Sequence, residues 1–145
     1  MAYVAPPSVL QTTQLRIGNR PIQGQIQSGN MACGGARAGT NATATAFIVG
    51  NLVIIDIDKL DPAQPLPAVA GGVITFQLPA SYPFPRDTFT SIQRIFVNNA
   101  GVASMVQIEA NGLVTVYPTP NGGNFVINER CGWSEMFVSY IAAPP

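Results

Sequence analysis

Hydrophobic and polar residues alternate most regularly across residues 91–123, which read SIQRIFVNNAGVASMVQIEANGLVTVYPTPNGG. Two glycine-containing turns, at Gly101 and at Gly112, divide this stretch into three alternating runs. Alternation with a period of two, bounded by turn residues, predicts a β-meander of three antiparallel strands. We expect the rest of the chain to pack on this sheet.

Two registers are open to the second turn of the meander. A two-residue turn at 111–112 would pair Ile108 with Thr115 and mix apolar and polar side chains on both faces. A three-residue turn with Gly112 left-handed pairs Ile108 with Val114 and leaves one apolar and one polar face. Because a slip of one residue moves every side chain to the other face, we predict the three-residue turn with a glycine bulge. The polar face then marks this sheet as the outer, solvent-facing one.

Further short apolar runs follow one another from Thr40 onwards, separated by turn and proline residues. These runs are residues 43–49, 52–57, 73–78, 124–128 and 133–142. The sequence shows no convincing helical period, and about eight short strands at regular spacing are typical of a sandwich or jelly roll. We therefore predict an all-β, antiparallel jelly-roll sandwich over residues 40–145.

Three of these runs differ from the meander because both of their faces are apolar. They are residues 47–49, 52–55 and 136–141. A strand with one solvated face normally alternates, so these strands are expected to be buried on both sides. We favour a homo-oligomer, in which a second protein surface covers the outer face. Coverage by loops or by the N-terminal segment of the same chain is the alternative.

Residues 1–39 contain prolines, glutamines and glycines but too few apolar residues to build a core. They are predicted to form either a disordered tail or an extended arm that gains order on a partner. In the second case the anchoring side chains are Tyr3, Leu10, Leu15, Ile17, Ile22 and Ile26. The glycine-rich residues 34–39 are expected to be a flexible joint. They do not match a phosphate-binding loop, since no Lys-Ser or Lys-Thr pair follows.

Charged residues make up only 10% of the 145-residue chain, and the formal net charge is zero. Lysines and arginines are scattered, which argues against nucleic acid as a partner. Although 47% of the residues are hydrophobic, no run approaches the roughly 20 apolar residues of a membrane helix, and the N-terminus lacks the features of a signal peptide. With so little charge, we expect apolar surface to be buried between subunits.

The chain has no histidine, which removes the commonest general base and the commonest metal ligand. A Ser-His or Cys-His relay is therefore excluded, and we predict no enzymatic activity, no cofactor and no metal. Asp56, Asp58 and Asp61 could hold Ca²⁺ through carboxylate oxygens or support a carboxylate-based glycosidase. We favour the simpler interpretation, in which these charges mark the place where a buried strand meets solvent.

Cys33 and Cys131 are too few for a disulfide scaffold, and we favour two buried free thiols over a single bridge.

Trp133 is expected in the core or at an interface rather than on a ligand-stacking platform. Three aromatic residues of a proline-rich loop either form an exposed binding patch or, as we favour, plug the end of the barrel: Tyr82, Phe84 and Phe89.

Several segments together resemble a known family: ITFQLPASYPFP, VQIEANGLVTVYP, GNFVIN, and a final strand that begins with Gly-Trp and continues as MFVSYIA. Their order resembles the trimeric jelly roll of the tumour necrosis factor and complement globular-head superfamily, in the variants found in phage virion proteins. The resemblance covers about residues 40–142 and brings no catalytic motif. It implies a homotrimer whose last strand lies in the inner sheet beside the threefold axis. The expected trimer-interface residues are Phe47, Val53, Ile55, Trp133, Phe137 and Tyr140.

The resemblance implies one of two roles in a virion. Fibre knobs normally end a long stalk, whereas only about 39 residues precede the domain in this sequence. We therefore expect a trimeric capsid decoration, or cement, protein of a phage whose arm, residues 1–39, binds the major capsid protein. It would be made in the host cytoplasm and reside on the capsid surface. The alternative is a receptor- or glycan-binding knob of a tail fibre or spike, acting through the loops at 58–72 and 81–90.

Overall fold

The computed structural model describes residues 15–17, 20–22, 24–60 and 66–144. All regular secondary structure within these residues is β. The strands are β1 (Leu15–Ile17), β2 (Arg20–Ile22), β3 (Gly24–Ala32), β4 (Gly34–Gly35), β5 (Asn41–Val49), β6 (Leu52–Ile57), β7 (Ile74–Gln77), β8 (Phe89–Val97), β9 (Ala100–Ile108), β10 (Leu113–Val116), β11 (Cys131–Gly132) and β12 (Met136–Ile141). β1 and β2 pair only with each other, as a small antiparallel hairpin.

The other strands form two antiparallel sheets arranged as a sandwich. One sheet has six strands in the order β11-β8-β9-β10-β7-β4, and the other has four in the order β12-β6-β5-β3. Buried and exposed positions alternate along β5, β6 and β12, so one side of each strand enters the shared core. The predicted all-β antiparallel sandwich is confirmed.

The meander is present, and its register is the predicted one. β8, β9 and β10 are consecutive neighbours in the six-stranded sheet. Val114 lies opposite Ile108 and Val116 lies opposite Val106, and all four side chains are fully buried. Gly112 has a φ of 83°, which is the left-handed conformation that the glycine bulge requires. The other register would have turned these valines away from the core.

Trp133 belongs to the buried core. Its side chain is fully buried, its ring centroid lies 6.2 Å from that of Phe76, and its Nε1 donates a 2.8 Å hydrogen bond to the carbonyl of Asp58. The indole N–H is thereby satisfied, as a buried tryptophan requires. Cys33 and Cys131 are both buried, as the sequence favoured.

The strand β3 belongs to the sandwich, although the sequence assigned its residues to the arm. It pairs with β5 along its whole length. A Cβ added at Gly29 would lie 2.5 Å from Cγ of Pro79, so the inward face of β3 accepts no larger residue there. The buried Tyr82 hydroxyl donates to the carbonyl of Gln27 at 2.9 Å. β3 packs through close approach of its backbone, which hydrophobic periodicity does not reveal.

The loop between β3 and β5, predicted to be a flexible joint, is held by a buried arginine. Arg37 is 1% exposed, and its guanidinium donates to the carbonyl of Cys131 at 2.5 Å and to the hydroxyl of Thr40 at 3.2 Å. The N–H of Cys33 also donates to the carbonyl of Thr40. The predicted boundary between residues 39 and 40 therefore falls inside a packed hairpin.

Candidate functional site

The outward face of the four-stranded sheet is the candidate functional site. Residues directly opposite each other on paired strands point to the same face, so the register defines rows of outward side chains. These rows are Ile26, Phe47, Ile54 and Ser139; Val49, Leu52 and Ile141; and Ser28, Thr45, Asp56 and Phe137. We call the large apolar side chains of these rows the outer apolar face: Ile26, Phe47, Leu52, Ile54, Phe137 and Ile141.

The outer apolar face is open to solvent in the single chain. Ile26 exposes 73% of its surface, Ile141 62% and Phe137 55%, and Phe47 and Leu52 are exposed to a smaller extent. If a large apolar residue has about 200 Å² of surface, these five side chains expose about 500 Å² together. Monomeric soluble proteins rarely expose more than this in one patch, and patches of this size commonly mark interaction sites.

Some of the residues expected at the trimer interface lie on the outward face of this sheet, and the others lie in the core. Phe47 and Phe137 lie on the outer apolar face. The other four lie in the core with at most 5% of their surface exposed, and they are Val53, Ile55, Trp133 and Tyr140. A side chain already buried in its own subunit has no surface to offer a second one. An interface on this face therefore has to use Ile26, Leu52 and Ile141 beside the two phenylalanines.

The residues expected in the capsid-binding arm lie in different parts of the structure. Tyr3 and Leu10 lie outside the described residues. Leu15 and Ile17 are in β1 and Ile22 is in β2, so they share the small hairpin that precedes the sandwich. Ile26 is instead part of β3 and of the outer apolar face.

Three carboxylates meet at the margin of the outer apolar face. Asp56, Asp58 and Glu135 each offer one oxygen, and these oxygens lie within 4.8 Å of one another. Glu135 immediately precedes β12, and the pairing of β12 with β6 brings it beside the two aspartates. The sequence pattern did not reveal Glu135, because the pairing of distant strands places it there. Asp61, the third carboxylate of the sequence prediction, lies outside the described residues.

Asp56 differs from the other members of this cluster in its surroundings. Its Oδ1 is buried, and no donor among the described residues reaches it. Burial raises the pKa of the Asp56 carboxyl, and the negative charge of Asp58 raises it further. By contrast, Asp58 and Glu135 are exposed, and Asp58 Oδ2 accepts a 3.1 Å hydrogen bond from Thr43 Oγ1. Carboxylate oxygens are ligands that Ca²⁺ prefers, but exposed acidic groups often cluster without an ion, and we assign no metal here.

A groove of about 320 Å³ lies between the loop before β8 and the end of β12. Arg86, Asp87 and Thr88 line one side, and Phe89 and Tyr140 stand beside them with ring centroids 6.1 Å apart. The groove thus combines aromatic rings with charged and hydroxyl groups. A second depression, of about 340 Å³, lies on the outer surface of β8 and β9.

The three loop aromatics close the end of the sandwich, as the sequence favoured. Tyr82 is 2% exposed, and burial raises the pKa of its hydroxyl. Phe84 and Phe89 are half-buried and pack against the core. These rings therefore do not form an exposed patch of their own.

Comparison with known proteins does not identify a family. No protein-family model matches the chain, and no curated protein matches it. Within the described residues there is no helix with the length and hydropathy needed to cross a membrane. The outer apolar face and the resemblance of the sequence segments are the grounds on which a function can be argued.

Proposed function

We propose that this protein is a structural component of a phage particle: a homotrimeric jelly-roll decoration, or cement, protein that binds the major capsid protein. In this proposal it carries no catalytic site, and it acts on the outside of the capsid. The observation that carries the proposal is the outer apolar face, an exposed apolar surface on the four-stranded sheet, whose strands carry almost no charge. The virion role itself rests on the sequence resemblance.

Self-association is the simplest way to cover the outer apolar face. A stable interface buries about 800 Å² on each partner, and homo-oligomer interfaces are about 65% apolar, so each side needs about 500 Å² of apolar surface. The exposed area of this face is of that size. β3, β5, β6 and β12 together carry one charged residue, Asp56. A nearly neutral face is suited to meeting a copy of itself, because identical charges then do not confront one another.

The segment that precedes β3 is the proposed contact with the capsid. The chain enters the four-stranded sheet at Gly24, on an edge strand next to the outer apolar face. In this proposal residues 1–22, which precede this edge strand in the sequence, contact the capsid surface beside the trimer. This shortens the arm expected from the sequence, because residues 24–39 are needed by the sandwich.

Light scattering at micromolar concentration and at about pH 5 tests the trimer. The unmodified chain should have the mass of three chains, and Phe137→Asp should be a monomer, because it places an unpaired charge in the contact. Ile127→Asp is the matched control, since Ile127 is 56% exposed and Phe137 55%, but Ile127 lies in a loop. This control should remain a trimer. A monomeric unmodified chain, or a trimeric Phe137→Asp variant, contradicts the proposed interface.

Co-sedimentation with purified shells tests the capsid contact. A chain that lacks residues 1–22 keeps all strands of both sheets, so it should remain a trimer but no longer sediment with shells. Loss of both properties would mean that these residues support the fold instead. Retained binding by the shortened trimer would exclude the arm as the site of capsid contact.

A second candidate function is recognition of a receptor or a glycan, which the groove beside β12 favours. Sugars are commonly held between aromatic rings and charged or hydroxyl side chains, and this groove presents both. Glycan-array binding by the unmodified chain that disappears in Arg86→Ala and Asp87→Ala would support this function. Binding that persists in both variants would exclude the groove.

A further inference from the structure

Asp56 is the only charged residue in the strands that build the outer apolar face. It stands in one row with Thr45 on β5 and Phe137 on β12. Its Oδ1 is already shielded from solvent in the single chain, and no hydrogen-bond donor among the described residues reaches it. A second subunit packed against Phe137 would remove much of the remaining solvent from this carboxyl.

The charged groups around Asp56 are acidic. Asp58 lies directly after the end of β6, and Glu135 lies directly before β12, with carboxylate oxygens within 4.8 Å of one another. β3, β5 and β12 contribute no charged residue, and Tyr140 of β12 points into the core. Lys59 is exposed beyond Asp58. Within the described part of the chain, the strands that pack beside Asp56 therefore offer no cation to balance it.

We propose that a second copy of the chain packs on the outer apolar face only with Asp56 in its neutral form, so that trimer formation takes up protons and weakens as the pH rises. This inference rests on the proposed homotrimer and adds its regulation. An ionised carboxylate without a partner is very unfavourable in a contact that excludes water, whereas a neutral carboxyl can donate its O–H. Loss of solvent around the carboxyl is also the main reason why the pKa of Asp56 is raised in the single chain.

The direction and size of the effect follow from proton linkage. Below the pKa that Asp56 has in the single chain, the carboxyl is already neutral and association is independent of pH. Above that pKa, each Asp56 that must take up a proton makes association about ten-fold weaker per pH unit. For a trimer that buries three such carboxyls, the overall association constant falls by up to about a thousand-fold per pH unit.

Sedimentation velocity between about pH 5 and pH 8, in the presence of EDTA, measures this linkage. The unmodified chain should dissociate increasingly as the pH rises. Asp56→Asn and Asp56→Thr remove the charge, so both should stay associated over the whole range with the affinity of the acid form. Glu109→Gln is the control, because Glu109 is a carboxylate next to the meander turn in the other sheet, and it should keep the dependence of the unmodified chain. Circular dichroism checks that each variant folds.

The possible outcomes separate the proton linkage from the oligomer itself. A trimer of equal affinity at all pH values would overturn the linkage and leave the proposed trimer intact. A chain that is monomeric at every pH would overturn the trimer and the linkage together. If added Ca²⁺ restores the trimer at pH 8, a bound cation can replace the protons, and the requirement for the neutral form of Asp56 would be overturned. Persistent pH dependence in both Asp56 variants would assign the linkage to another group.

Discussion

Replacement of Tyr82 by phenylalanine tests whether β3 is a structural part of the sandwich. The Tyr82 hydroxyl lies between two strands, 2.9 Å from the carbonyl of Gln27 on β3 and 3.1 Å from that of Ala44 on β5. The ring itself is fully buried and keeps its packing in the variant. Loss of a buried hydrogen bond costs about 1–2 kcal/mol.

Urea unfolding at one fixed protein concentration measures the change, because the stability of the proposed oligomer would depend on concentration. With a slope near 2 kcal/mol per molar, the Tyr82→Phe midpoint should fall by about 0.5–1 M. Tyr117→Phe is the control, since its half-buried hydroxyl only meets Gln107 Oε1 at 3.1 Å, and it should change stability by less than about 0.5 kcal/mol. Equal midpoints for the unmodified chain and Tyr82→Phe would refute the anchoring of β3 through this hydroxyl.

Three further predictions concern the turn, the acidic cluster and the cysteines. Gly112→Ala should lower the free energy of unfolding by about 2 kcal/mol or more, because φ is 83° and the new Cβ would lie 2.5 Å from Cε1 of Phe84; urea unfolding measures this. Asp56→Asn should stabilise the fold at neutral pH but not at acid pH. Because the pKa of Asp56 is raised in the folded state, the free energy of unfolding of the unmodified chain falls as the pH rises through that pKa. Thermal unfolding at both pH values checks the sign. Cys33 and Cys131 are both buried, so a thiol reagent should label them at the rate of unfolding in the native protein and at once in urea.

Gly50→Ala provides the comparison for the turn. Gly50 also has a left-handed φ, of 60°, but a Cβ there meets no atom within 4 Å. It should therefore lose only the conformational part of the stability, about 1 kcal/mol. Equal losses at Gly50 and Gly112 would mean that contact with the Phe84 ring does not contribute.

The meander could be predicted in detail because its two faces differ in polarity. Only one register at the second turn places Val106, Ile108, Val114 and Val116 on a single side, and a protein with a core has to adopt it. The all-β sandwich followed from the spacing of short strands and turns. In both cases a local pattern in the sequence corresponded to a single arrangement of the backbone.

β3 and the position of Arg37 could not be predicted in this way. β3 reads GQIQSGNMA, with few apolar residues, because it packs through Gly29 close to Pro79 and through hydrogen bonds. Arg37 lies in a glycine-rich stretch that resembles a flexible joint, yet its guanidinium reaches the carbonyl of Cys131 in a distant part of the chain. Close contacts between distant segments leave no periodic signal.

The sequence indicated which strands carry the candidate site, but not which of their side chains point outward. Strands that are apolar on both faces do not reveal which face is inward, so Val53 and Ile55 were grouped with Phe47 although they point to the core. The register across β5, β6 and β12 resolves this, since it places Phe47 and Phe137 on the outward face. The same register brings Glu135 to the aspartates.

Hydroxyl-radical footprinting at different protein concentrations tests the central claim, that copies of the chain meet at the outer apolar face. Phe47, Phe137 and Ile141 should be oxidised more slowly at concentrations where the protein is a trimer than after dilution to the monomer. Val126 and Ile127 lie in a loop and are at least as exposed as Phe137, and they should react at the same rate in both states. A trimer in which the three residues of the face remain as reactive as in the monomer would contradict the account.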